Sequence, residues 1–170
     1  MIYLIPQPVA TPLMKDLYEE AFPEQERRPW EKEQQLIAEG RLQLCHIVLD
    51  NTFVGFVCYW QLPLFSFIEH FAVHPQARGG GMGTQVMQLL EAALESIVLE
   101  VEPPVTEQAI RRIIFYERLG YHTFKESYFQ PSYSPDYPPL ELRLMYKGLS
   151  SHIAEFTQVR EQLYKHVYHQ

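Results

Sequence analysis

Residues 71–84 read Phe-Ala-Val-His-Pro-Gln-Ala-Arg-Gly-Gly-Gly-Met-Gly-Thr, and this stretch decides the fold. A β-rich run ends at Val73, and four of the chain's eight glycines fall within Gly79–Gly83. An apolar pattern then follows at Val86, Leu89, Leu90, Ala93, Leu94 and Ile97. That period of 3.6 predicts a helix opened by Thr84, with a loop over 74–83. Glycines let successive backbone N–H groups turn into one concavity, and the helix adds its positive N-terminal end. Together they form a site for a phosphate or pyrophosphate. A nucleotide P-loop would need Lys and Ser/Thr after its second glycine, but Thr84 follows Gly83 directly. A dinucleotide fingerprint fails too, because its third glycine would fall on Thr84 or Val86.

Working outward, residues 2–5 predict a strand. Thr11-Pro12 opens a helix, with Thr as N-cap and Pro at the first helical position. Its expected apolar stripe is Leu13, Leu17, Tyr18 and Phe22. A second helix spans about Trp30–Ala38 and stops at Gly40. Two β-rich runs around Asp50-Asn51-Thr52 form a hairpin, and a third strand covers about Phe65–Val73. Beyond the glycine loop and its helix, residues 97–102 form a strand. Thr106 then caps a helix over 107–119 that carries Ile110, Ile113 and Ile114. Residues 122–129 and 140–148 predict two closing strands around a loop rich in Pro and Tyr. From about His152 an amphipathic helix presents Ile153, Phe156, Val159, Leu163 and Val167 on one face. A meander combined with strand–helix units gives a mixed α/β fold.

At 170 residues the chain is one domain by length. Hydrophobic residues at 46% and charged residues at 21% exclude extended disorder. No run of about 20 apolar residues is present to span a membrane. The N-terminal residues lack a secretory pattern, so the reading is cytoplasmic. A net charge of -7 disfavours nucleic acid, whose phosphates need clustered Lys and Arg. Cys45 and Cys58 have neither metal nor disulfide spacing and read as small buried hydrophobes. His70 and His74 lack a third ligand, so no metal is expected.

Arg78-x-x-Gly81-x-Gly83 resembles the R/Q-x-x-G-x-G/A motif of the GNAT acetyltransferase superfamily. Phe115-Tyr116-Glu117-Arg118-Leu119-Gly120-Tyr121 resembles that family's F-Y-E-K/R-L-G-F signature. The element order is similar from the first strand to about Gly148. The resemblance implies a single GNAT-like domain over 1–148, with a mostly antiparallel sheet, flanking helices and a splayed central strand pair. Residues 149–170 would add a helix packed on the domain or at a subunit interface, which leaves a homodimer open.

The implied activity is N-acetyl transfer from acetyl-CoA to a primary amine, by direct attack in a ternary complex. The alternative is a non-catalytic acyl-CoA-binding or sensing module. By resemblance, the main chain of Arg78, Gly79, Gly80, Gly81, Met82 and Gly83 binds pyrophosphate, with Thr84 adjacent. Phe71, Ala72 and Val73 pair with pantetheine through backbone groups. Tyr116 is the implied acid toward the leaving thiolate. A lysine-type amine has a pKa of about 10.4, so a base must take its proton. Glu100 matches the base position of ribosomal-protein N-terminal acetyltransferases, and Glu69 matches the position used by other members. Glu102 and ordered water remain alternatives. Many relatives carry Asn seven residues before the signature Tyr, where this chain has Ala109. The acceptor would be a small-molecule or peptide amine. An Arg27 or Arg28 in its cleft would favour a substrate carboxylate, the net acidity a cation. The loop from Tyr128 to Leu140 is positioned to cover it.

Overall fold

The computed structural model describes residues 1–150 and 155–169. It is a mixed α/β fold in two compact units, Met1–Gln61 with Ile68–Leu94, and Leu62–Phe67 with Glu95–Gln170.

The first unit holds β1 (Ile2–Gln7), α1 (Pro12–Ala21), α2 (Trp30–Ala38), β2 (Gln43–Leu49), β3 (Thr52–Gln61), most of β4 (Ser66–Val73), and α3 (Met82–Ala93). Its strands lie in the order β1-β2-β3-β4. The β2–β3 hairpin turns at Asp50 and Asn51, whose φ values of 46° and 67° suit a two-residue primed turn. Thr11 caps α1 as expected, its Oγ1 accepting from the Met14 N–H at 3.3 Å. The stripe is rotated, however. Met14, Leu17 and Tyr18 are buried while Leu13 is exposed. Met14 lies three and four positions from Leu17 and Tyr18 and so sits at the centre of their face, whereas Leu13 neighbours only Leu17 and falls at its edge. A similar rotation applies to α3, where Met82, Val86, Met87 and Leu90 are buried and Leu89 is exposed. This helix also starts at Met82, two residues before Thr84, with Gly81 as N-cap.

The second unit holds β5 (Ile97–Val101), α4 (Glu107–Arg118), β6 (His122–Thr123), β7 (Tyr128–Gln130), β8 (Leu140–Lys147), and α5 (Phe156–His166). The order is β5-β8-β6 with β7 also on β8, all antiparallel. The Ser66 N–H, at the start of β4, donates to the Ser96 carbonyl at 2.8 Å. A parallel pair needs a crossover, and α3 supplies it between β4 and β5. Thr106 caps α4 by accepting from the Ala109 N–H at 3.1 Å. Ala109 and Ile113 are its buried residues, whereas Ile110 and Ile114 are exposed.

The single strand expected over 122–129 is two. Thr123 pairs with Met145, and Tyr128 with Leu142. One side therefore advances five positions while β8 advances three, and the excess loops out at the exposed Lys125-Glu126-Ser127. The last helix begins at Phe156, so the part expected around Ile153 lies outside the described residues. Phe156, Val159, Leu163 and Val167 are buried, and the Phe156 ring stands 5.7 Å from Phe124.

Candidate active site

The loop between β4 and α3 is built by conformation more than by side chains. Gly79, Gly80 and Gly81 have φ of 95°, 62° and 76°, a region L-residues rarely enter. All three are exposed, and a Cβ at any of them would meet no atom within 4 Å. Gly81 offers no side chain to cap α3, so its first turn has no side-chain acceptor, although the Met82 N–H donates to the Gly79 carbonyl at 3.2 Å. A helix start without a side-chain cap and its positive end suit an anion such as a diphosphate. Arg78 braces the loop, its Nε donating to the Val73 carbonyl at 3.1 Å. Met82 is buried and anchors the helix start, with Gly83 and Thr84 half-buried in the first turn.

Just before the loop, Phe71 is half-buried and Ala72 and Val73 are buried. Gly55 in β3 lies against them. A Cβ there would come within 2.3 Å of the Ala72 carbonyl oxygen. Only glycine permits this approach of the two backbones. The sequence signal was a lone glycine inside an otherwise β-branched and aromatic strand.

Glu69, on β4, has a fully buried side chain. Arg28 Nη1 stands 2.6 Å from each of its oxygens, and Trp60 Nε1 donates to it at 2.8 Å. Arg28 also lies 5.5 Å over the Trp60 ring and 3.5 Å from the buried Glu33. Burial would raise the Glu69 carboxyl, but the charges of Arg28 and His70 and the two donors outweigh it and hold it well below the usual range. Glu33 shifts the other way. Burial and the Glu69 charge raise it, and Arg28 offsets this only partly. Arg28 is fixed further by Tyr18, whose hydroxyl accepts from its N–H at 2.9 Å and donates to its carbonyl at 3.1 Å. Arg28, one of the two arginines that would favour a substrate carboxylate from the cleft, is thus buried against the protein's own carboxylates. Neighbouring Arg27 donates from Nε to the Phe22 carbonyl at 3.0 Å. Arg28, Glu33 and Trp60 could not be paired with Glu69 from sequence, because they come from separate elements.

In the second unit, Glu100 sits on β5. Gln130 Nε2 donates to its Oε1 at 2.9 Å, and the Tyr168 hydroxyl lies 2.9 and 3.1 Å from its two oxygens. The buried Tyr128 hydroxyl is raised well above its ordinary value by burial and by the Glu100 charge. Tyr133 stands 5.7 Å from the Tyr168 ring. Gln130 and Tyr128 of the predicted covering loop and Tyr168 of the C-terminal segment therefore meet this carboxylate, with Tyr133 packed on Tyr168. Glu102 differs: it is exposed and pairs with Arg112 at 3.8 Å on the surface. Tyr116, on α4, is half-buried with its ring between Phe115 and Tyr121, at 5.1 and 5.5 Å. Burial pushes its hydroxyl up to about 12, slightly offset by Arg112. It is therefore protonated at neutral pH and able to donate.

Cys45 and Cys58 are buried free thiols, both raised by burial. Among the described residues no group of three His, Cys, Asp or Glu side chains could hold a metal ion. No described helix is long and apolar enough to cross a membrane.

Residues 11–121 match the acetyltransferase (GNAT) family. The chain is 34% identical to a structure named as a GNAT-family acetyltransferase from Bacteroides thetaiotaomicron, with 97% of this chain and 98% of that one covered and a TM-score of 0.90. A GNAT acetyltransferase from Elizabethkingia anophelis with acetyl-CoA bound has 16% identity, coverage of 87% and 98%, and a TM-score of 0.59. The ribosomal-protein-S18-alanine N-acetyltransferase from Escherichia coli has 15% identity, coverage of 88% and 95%, and a TM-score of 0.56. These last two likenesses concern the fold. No curated protein matches the chain significantly.

Proposed function

Because the chain belongs to the GNAT acetyltransferase family, we propose that it transfers the acetyl group of acetyl-CoA to a primary amine by direct attack in a ternary complex. The observation that carries this reading is the glycine loop. Three left-handed glycines precede a helix whose first turn has no side-chain cap. Acetyl-CoA supplies the acetyl thioester. The backbone N–H groups of residues 78–83, with Thr84 beside them, hold its pyrophosphate, and the main chain of Phe71, Ala72 and Val73 holds pantetheine.

Glu100 accepts a proton from the attacking ammonium, so that the nitrogen lone pair forms the new N–C bond. Tyr116 gives its proton to the sulfur as the C–S bond breaks, and the acylated nitrogen sheds its second proton to restore Tyr116, leaving the neutral amide and the free thiol. Each such group contributes about 10²–10⁴ in rate. Glu69 is the weaker candidate base. A carboxyl held well below its usual range by Arg28 has little affinity for a further proton. Its proposed role is to fix β4 next to the pantetheine-pairing residues. With Arg28 engaged, Arg27 remains as the cue for a substrate carboxylate, while net acidity favours a cationic small-molecule or peptide amine.

Calorimetry with acetyl-CoA on wild type, Gly81→Asn and Gly81→Asp tests the cofactor site. Asn and Asp both tolerate positive φ better than other residues, so their difference isolates the charge. Micromolar binding that Asn reduces and Asp abolishes supports the pyrophosphate site. Equal binding by all three rejects it. A screen with spermidine, kanamycin and an alanine-terminated peptide then tests transfer. Binding without turnover would favour the acyl-CoA-sensing alternative.

A further inference from the structure

The segment matching the family ends at residue 121, yet the end of the chain reaches back to Glu100. Tyr168 lies just past α5, where its N–H donates to the Leu163 carbonyl at 3.2 Å. Leu163 and Val167 beside it are buried, so the anchor of this turn is apolar and fixed. The Tyr168 ring is steadied by Tyr133 at 5.7 Å. Its single hydroxyl proton is shared between two Glu100 oxygens at 2.9 and 3.1 Å, while Gln130 donates to Oε1 at 2.9 Å.

We infer that Tyr168 is a positioning residue for Glu100, holding the carboxylate in one orientation toward the acceptor amine. The inference rests on the reading of Glu100 as the base. A glutamate on a strand has several rotamers, and restricting them costs entropy that outside donors must offset. Tyr128 also hydrogen-bonds this carboxylate, so Tyr168 is one of three side-chain donors that share its lone pairs and fix its plane. A displacement of about 1 Å in a reacting group costs on the order of 10² in rate. A C-terminal hydroxyl that fixes the base is therefore worth a measurable share of turnover.

The test is a double-mutant cycle on the full chain with Tyr168→Phe and Glu100→Gln, assayed with acetyl-CoA and whichever screened amine turns over. Tyr168→Phe keeps the ring and removes one oxygen. It should lower kcat about tenfold, leave the KM for acetyl-CoA unchanged and keep the melting temperature within a few degrees. In the Glu100→Gln background the same change should alter residual kcat less than about twofold. An unchanged kcat in Tyr168→Phe overturns the inference. So does an equal fold-loss in both backgrounds, which would mark a structural role. In either case an inactive Glu100→Gln leaves the base reading standing. A fully active Glu100→Gln removes the base reading, and the inference falls with it. So would a failure of every screened amine to turn over.

Discussion

Arg28 shows how much one side chain can hold together. It faces two fully buried carboxylates, and removing its charge leaves Glu69 with the Trp60 N–H and both acids with His70 as the remaining nearby partner. Breaking such a buried pair costs about 3–5 kcal/mol, so Arg28→Met should fall by that amount in urea melts near neutral pH. The sign of the pH dependence separates the two acids. Glu69 is depressed on folding, so its contribution is present above the ordinary carboxylate range and lost as pH falls through its folded value. Glu33 is raised, so stability declines as pH climbs from the ordinary range through its higher folded value. These two acids together favour mildly acid buffer, while the buried His70 and His46, both lowered by desolvation, oppose that trend as pH falls through the ordinary histidine range. Arg28→Met removes the main charge that holds Glu69 ionised, and its stability should fall more steeply with rising pH. A variant equally destabilised at every pH would reject the ionic account. Tyr116 makes a separate prediction. Tyr116→Phe should hold acetyl-CoA affinity and lose more than tenfold in turnover. Because its hydroxyl stays protonated up to about 12, no alkaline limb from Tyr116 should appear in the working range. Unchanged turnover in Tyr116→Phe would remove it as the acid.

Gly55 is where one strand depends on another. Gly55→Ala would force a Cβ within 2.3 Å of the Ala72 carbonyl, and backbone cannot swing aside as a side chain can. Overpacking of this kind costs about 1–3 kcal/mol. The strain falls on the residues proposed to pair with pantetheine, so the Kd for acetyl-CoA should rise together with the loss of stability. A destabilised variant with unchanged affinity would separate β4 from cofactor binding. Elements were legible wherever local chemistry decided them. The Thr11 and Thr106 caps, the Asp50-Asn51 turn and the glycine loop all follow from residues a few positions apart. What failed depended on distant partners. Leu13 and Leu89 are apolar at helical spacing, yet the sheet takes the neighbouring face. The break between β6 and β7 reflects the register of β8, which no local pattern encodes. The candidate site divides the same way. Its glycines and Tyr116 stand in contiguous motifs. Arg28 beside Glu69, and Tyr168 beside Glu100, join residues 41 and 68 positions apart.

At the scale of the whole chain, the question is what the residues beyond the family's matched segment contribute. Phe156, Val159, Leu163 and Val167 are at most 9% exposed. Burying a side chain of this kind contributes about 1.5–3 kcal/mol. Four of them are comparable to the whole net stability of a typical domain, about 5–15 kcal/mol. Tyr164 adds a polar tie, its hydroxyl donating to the Phe129 carbonyl at 2.5 Å. A helix held in this way belongs to the core of its unit. Ending the chain at Gly148 should therefore abolish cooperative thermal unfolding and expose apolar surface that binds a hydrophobic dye. Tyr168→Phe, by contrast, should melt close to wild type. If the shortened chain melted within a few degrees of the full one, α5 would be peripheral. The Glu100 carboxylate would then have to be held by Gln130 and the neighbouring tyrosines alone.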